Sequence, residues 1–195
     1  MLASSLVLLF LATLSDHAVA ERGSPLNARE RERLTELYTA HYDVVWRVLR
    51  RSGLGNAQAD DGAQQVFLVA LRRLGDLVDG RERAFLCATA LVVARKLKTS
   101  RGREEIVDEV PEVESTARPD EQAEHRRNLR RLDVILGELE EELRAVFVLQ
   151  DIEGLSKRET ALALGIPEGT VATRLRRARE RFEALLAREL GRRAP

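Results

Sequence analysis

Between Thr170 and Arg181 the chain crowds together Thr170, Thr173, Arg174, Arg176, Arg177, Arg179 and Arg181. A guanidinium forks onto a phosphate or onto the major-groove edge of guanine, and a threonine offers a short hydroxyl or a methyl to a base. On a helix each residue turns by about 100°, so Thr173, Arg177 and Arg181 share one face and Thr170 and Arg174 lie beside it. Leu175, Ala178 and Phe182 then point the other way, toward a core. Such a helix can lie in a DNA groove, with phosphate contacts setting its register and base contacts reading sequence. An amphipathic helix with a solvated arginine face is the plainer alternative.

A second basic group, Arg95, Lys96, Lys98, Arg101 and Arg103, follows an apolar stretch that contains Phe85. Single-stranded nucleic acid needs this pair of features: charge along the backbone and an apolar face for an unstacked base. Covalent chemistry is not expected, because no nucleophile–base pair, phosphate-binding glycine loop or carboxylate dyad stands in a workable arrangement. His17, His41 and His125 are scattered and no cysteine partners them, so neither a metal site nor a cofactor is expected. Cys87 is alone in an apolar stretch, which fits a buried thiol in a reducing compartment.

The elements around the arginine helix strengthen its reading as a DNA reader. Ser156-Lys157-Arg158-Glu159 is a capping box, Gly165 suits a left-handed helix end, and Pro167 suits the first position of the next helix. Two helices joined by a tight glycine turn, the second basic on its outer face, describe a helix-turn-helix. Upstream, Leu34, Leu37, Tyr38, Tyr42, Val45, Trp46 and Leu49 recur at helical spacing, and Gly53 and Gly55 stop that helix. A second helix is expected from an N-cap at Asn56, with Asp60 and Asp61 near its front and Ala63, Val66, Phe67, Ala70, Leu71 and Leu74 buried. Gly75 to Gly80 reads as a loop, and a third helix runs from about Glu82 to about Ser100. Leu129, Leu132, Ile135, Leu136 and Leu139 form a further stripe, and Leu143, Val146, Phe147 and Leu149 another that ends at Gly154.

No strand-like alternation persists, so the fold class is all-α. Charged residues make up 33% of the 195, which suits small helical units with much surface rather than one large sphere. The formal net charge is zero, so only local segregation of charge argues for nucleic acid. Two small helical domains are expected, at 29–103 and 127–190. Between them, 104–126 is acidic and broken by Pro111 and Pro119, and reads as a flexible tether. A sharper reading has this tether mimic nucleic acid and shield the basic surfaces. Residues 1–28 stand apart: Leu2 to Leu14 is uncharged and Ala18-Val19-Ala20 resembles a signal-peptidase site, but the run is short for a span of roughly 20 apolar residues. The favoured reading is a mis-called start, with a signal or anchor, or a hydrophobic extension with another role, as the alternatives.

From Ala145-Val146-Phe147-Val148-Leu149 through Gly154-Leu155-Ser156, Leu164-Gly165-Ile166-Pro167 and Gly169-Thr170-Val171 to Arg177-Ala178-Arg179, the chain resembles region four of extracytoplasmic-function (ECF) sigma factors. The first unit is similar to region two of that family, through Leu37-Tyr38, His41, Arg47, Ala59-Asp60-Asp61 and Gln64-Gln65-Val66-Phe67. The resemblance implies a subunit that directs core RNA polymerase to promoters, in the cytoplasm and without enzyme activity of its own. It implies that Asp60, Asp61, Gln64 and Gln65 contact the β′ clamp coiled coil, and that the second unit meets the β flap. Phe85, Arg95, Lys96, Lys98, Arg101 and Arg103 would capture and melt the −10 element, and the helix after Pro167 would read the −35 element. Promoter DNA is thus a partner, an anti-sigma factor is a further one the family allows, and no small-molecule substrate is expected. The chain departs from the family pattern at Phe85 (usually Trp), Val92 (Asn), Lys96 (Asp), Gln65 (Glu) and Glu140 (near a common Pro).

Overall fold

The computed structural model describes residues 25–100 and 119–191, and within them every regular element is helical. Arg101, Arg103, the N-terminal extension up to residue 24 and the acidic stretch 104–118 lie outside the described residues.

Helix α1 (Ala28–Arg51) opens on a reciprocal capping box: the Glu30 amide donates to Asn27 Oδ1 (2.9 Å) and the Asn27 amide to Glu30 Oε2 (3.0 Å). It closes in a Schellman motif. The Leu54 amide donates to Leu49 O and the Gly53 amide to Arg50 O, and Gly53 takes the left-handed φ of 94° that this end requires. Leu49 and Leu54, the two ends of that motif, are both buried.

Helix α2 (Asn56–Arg72) begins one residue earlier than an Asn56 cap would place it. Gly55 is the N-cap, and Gln58 Oε1 accepts from its amide at 3.0 Å. Gly62 lets α1 and α2 meet closely, since a Cβ there would stand 3.2 Å from both Leu49 methyls. Helix α3 (Glu82–Ser100) completes a three-helix bundle and buries Leu86, Cys87, Ala90, Val93 and Ala94 against the other two.

The second half comprises α4 (Pro119–Glu138), α5 (Glu141–Phe147), a π-helical turn (Val148–Ile152), α6 (Lys157–Leu164) and α7 (Glu168–Gly191). Helix α4 starts at Pro119, inside the stretch expected to be tether. A proline lacks the amide that a first helical turn leaves unbonded, so it fits a helix start here rather than an interruption. The π-turn was not expected either; Glu153 N bonds to Val148 O (2.9 Å) and Leu155 N to Leu149 O (2.8 Å), which widens the helix before Gly154 ends it.

The two halves pack together. Helix α6 lies on α3 and the π-turn touches α1. The main apolar core is continuous from Leu26 and Leu34 through Phe67 and Leu86 to Leu149, Ala178 and Leu185. Ion pairs cross the seam: Arg47 forks onto Glu153 (Nη2–Oε2 2.8 Å), Arg95 pairs with Glu141 (2.7 Å), and Arg50 and Arg51 both reach Asp133. Glu153 is the most deeply placed of these carboxylates, its side chain only 1% exposed, and Arg83 also donates to its backbone carbonyl. Among the described residues no helix is long and apolar enough to cross a membrane, and no cluster of His, Cys, Asp and Glu could hold a metal ion.

Candidate nucleic-acid interface

Local chemistry fixes the helix-turn-helix tightly. Ser156 Oγ accepts from the Glu159 amide (3.2 Å) and Glu159 Oε2 accepts from the Ser156 amide (2.8 Å). Hydrogen bonds from the Ser156 side chain and then from its backbone amide hold the Glu159 carboxyl below its ordinary value. Buried Thr160 turns its hydroxyl back onto Ser156 O (3.0 Å), and Gly165 ends α6 at φ 64°. The turn then feeds α7, whose first bonds run from the Thr170 and Val171 amides to Pro167 O. Pro167 therefore sits just before α7 rather than within it. Val171, Ala178 and Leu185 are buried, Leu175 and Phe182 half-buried, and the Phe182 ring stacks on Phe147 with centroids 4.7 Å apart.

This packing turns Thr173, Arg177 and Arg181 outward, all exposed, with Thr170 half-buried beside them. The Thr173 hydroxyl bonds to Gly169 O (3.0 Å). The other arginines are held by carboxylates: Arg174 by Glu142 of α5 (2.5 Å), Arg176 by Glu180 (3.0 Å), and Arg179 by a two-pronged pair with Asp151 of the π-turn (2.8 and 2.6 Å). The Asp151 bonds raise the Arg179 guanidinium above its ordinary value, so it stays charged. Arg177 and Arg181 thus form the open part of the face, and Glu142 and Asp151 orient their neighbours. Neither acid stood out in the sequence, where an isolated Glu or Asp before a helix-turn-helix looks like any solvated charge.

The residues expected at the −10 element are less united. Phe85 is half-buried, wedged between the main core and a small cluster of Leu37, Leu74 and Leu77. Exposed Lys96 shares a groove with Phe85, Gln65, Arg72, Arg73 and Val92, and Ala163 of α6 also lines it. Arg95 is spent on Glu141 of α5. Lys98 turns away toward Gly53 and Arg144 at the seam between the halves. The cations of α3 therefore divide between a groove and the seam, a division that helical spacing alone did not reveal.

On α2, Asp61 and Gln64 are exposed and Gln65 is half-buried. Asp60 is engaged by α1, accepting from Trp46 Nε1 (2.8 Å) and the Tyr42 hydroxyl (3.3 Å). Burial first, then the Asp60 charge, pushes the Tyr42 phenol well above its ordinary value, so it remains a donor.

The family profile described as Sigma-70, region 4 matches residues 129–182, the helices just described. The chain is 31% identical over 157 residues to the ECF RNA polymerase sigma factor SigE of Mycolicibacterium smegmatis, covering 78% of this chain and 61% of that one. It is 30% identical over 167 residues to SigM of Mycobacterium tuberculosis, covering 82% and 80%. Among solved structures, CnrH in complex with the cytosolic domain of CnrY superposes with a TM-score of 0.63 at 27% identity, over 91% of this chain and 97% of that chain. The sigma factor RpoE of Bartonella quintana, in complex with the anti-sigma factor NepR, shares the fold at a TM-score of 0.62. With most of its length aligned in both sequence and structure, the chain belongs to the ECF family of RNA polymerase sigma factors.

Proposed function

We propose that the chain binds core RNA polymerase and directs it to promoters, where it takes part in DNA melting and initiation. The observation that carries this reading is α7: a helix seated by buried Val171, Ala178 and Leu185 that turns Thr173, Arg177 and Arg181 outward beyond a capped helix and a glycine turn. In this reading α7 enters the major groove at the −35 element. Asp61 and Gln64, with Gln65 and the anchored Asp60, meet the β′ clamp coiled coil, and the second half meets the β flap. The groove holding Phe85 and Lys96 receives the −10 strand, with Arg95 and Lys98 on the same helix and Arg101 and Arg103 next along the chain. The chain supplies recognition, catalysis belongs to the polymerase, and the work is done in the cytoplasm, where the DNA is.

Two units, about 29–103 and from Pro119 onward, would separate on polymerase to span the promoter. Helix α6 rests on α3 in the packed form, so opening the seam would uncover the part of α3 that the second half now covers. The complex of CnrH with the cytosolic domain of CnrY supports a regulatory protein, such as an anti-sigma factor, as a further partner of this chain. Gel filtration with core polymerase tests the reading: the chain should co-elute with core, and the complex should protect both promoter elements from cleavage. Protection of DNA by the free chain without co-elution would instead favour a stand-alone helix-turn-helix regulator.

A further inference from the structure

The seam between the halves holds a cavity of about 140 Å³. That is well above the ~10–15 Å³ one water needs and below the ~300–1,000 Å³ of pockets for drug-sized ligands. Its walls are of two kinds. Leu91 and Ala94 of α3 face Val148 and Leu164 of the second half across an apolar floor, and Lys98, Arg144 and Arg95 gather at one corner with Glu141.

The charges in that corner do not balance. Glu141 is committed to Arg95 at 2.7 Å. Lys98 Nζ and Arg144 Nη1 converge above Gly53, lying 3.0 and 3.7 Å from the point where a Cβ would project. Lys98 has no ion pair among the described residues. Arg144 spends its Nη groups on the carbonyls of Ser52, Gly137 and Leu139, but its buried Nε–H has no acceptor. Partial burial, and then repulsion by Arg144, lowers the Lys98 ammonium from its ordinary value, against the opposing pull of Glu141. The carbonyls at the end of α1 add the negative pole of a helix, which is why two cations can approach at all.

We propose that this corner is a binding site for a small oxyanion, its carboxylate or phosphate headgroup held between Lys98 and Arg144 and any short aliphatic body laid on Leu91, Val148 and Leu164. Both halves build the site, so an occupant binds only the packed arrangement and stabilises it by mass action. On the reading of the chain as a sigma subunit, the ligand would keep part of α3 covered and lower transcription.

The test is calorimetric titration of the full chain with inorganic phosphate and, separately, with butanoate, each against chloride at constant ionic strength. Saturable binding of either anion is expected. Phosphate alone would assign the site to the headgroup, whereas tighter butanoate binding would assign it to an organic acid. Lys98→Met, which keeps the aliphatic stem, should weaken binding at least tenfold. Glu141→Gln, which removes the carboxylate competing for the corner, should tighten it several-fold. No binding beyond chloride, or equal binding by wild type and Lys98→Met, would overturn the proposal. Polymerase takes no part in this titration, so a negative result leaves the assignment as a sigma subunit untouched.

Discussion

At the scale of single residues, α7 shows that arginines close in sequence differ in availability. Arg177 stands open, whereas Asp151 grips Arg179 with both carboxylate oxygens. Arg177→Ala should therefore weaken promoter binding and lower the slope of log affinity against log salt by about 1 if its contact is to phosphate. If Arg177 reads a base, the variant should lose ~1–3 kcal/mol of discrimination at one position. Asp151→Asn should act differently, leaving non-specific affinity unchanged or raised while eroding preference for the cognate −35 sequence, because a loosened guanidinium keeps its charge and loses its aim. Fluorescence anisotropy across a salt series on cognate and scrambled duplexes separates the two patterns. Cys87 gives a simpler expectation. Burial pushes its thiol up to about 12, so at pH 8 it should react with a thiol reagent only as fast as the chain unfolds. A raised thiol pKa also means that this group's contribution to stability is present below its ordinary value of 9.0 and fades as pH climbs toward 12.

At the scale of elements, the ends of helices carry energies that can be measured one at a time. Ser156→Ala removes a reciprocal cap and should cost about 0.5–2 kcal/mol, and in Gly62→Ala the ~1–3 kcal/mol of crowding against Leu49 should outweigh the ~0.5–1 kcal/mol that alanine gains over glycine inside a helix. Urea unfolding followed by circular dichroism checks both. Elements were also the most legible level in the sequence, since apolar spacing, Ser156–Glu159 and Gly165 are local signals with local consequences. The π-turn was not legible. Leu149 to Glu153 continues an ordinary helical pattern, and the partners of its two acids, Arg179 of α7 for Asp151 and Arg47 of α1 for Glu153, lie far away in the chain. Nor did periodicity reveal that Pro119 starts a helix, because the acidic composition around it masked the few apolar residues that follow.

The whole molecule was the least legible level, because its decisive contacts join residues far apart in the chain. Arg47 and Glu153 are separated by 106 positions, and a conspicuous role for either is invisible until the halves are packed. Burying Glu153 costs desolvation that Arg47 must offset, so removing the arginine should loosen the seam. Arg47 is 45% exposed, so the loss in Arg47→Ala should fall below the ~3–5 kcal/mol typical of a fully buried pair. Small-angle X-ray scattering should show a larger radius of gyration for Arg47→Ala than for the wild type, whereas an unchanged radius would mean that the other ion pairs and the contact of α6 with α3 hold the seam without Arg47. The packed halves also explain how one small chain can present α7 and the exposed face of α2 while keeping part of α3 covered.

Whether the chain programmes initiation is decided most directly by run-off transcription, with purified core polymerase, the chain, and fragments of its own genome as templates. Discrete transcripts are predicted from a subset of fragments, absent with core alone and reduced by Arg177→Ala. If core and chain together yield no transcript beyond core alone on any fragment, the chain does not act as a sigma subunit.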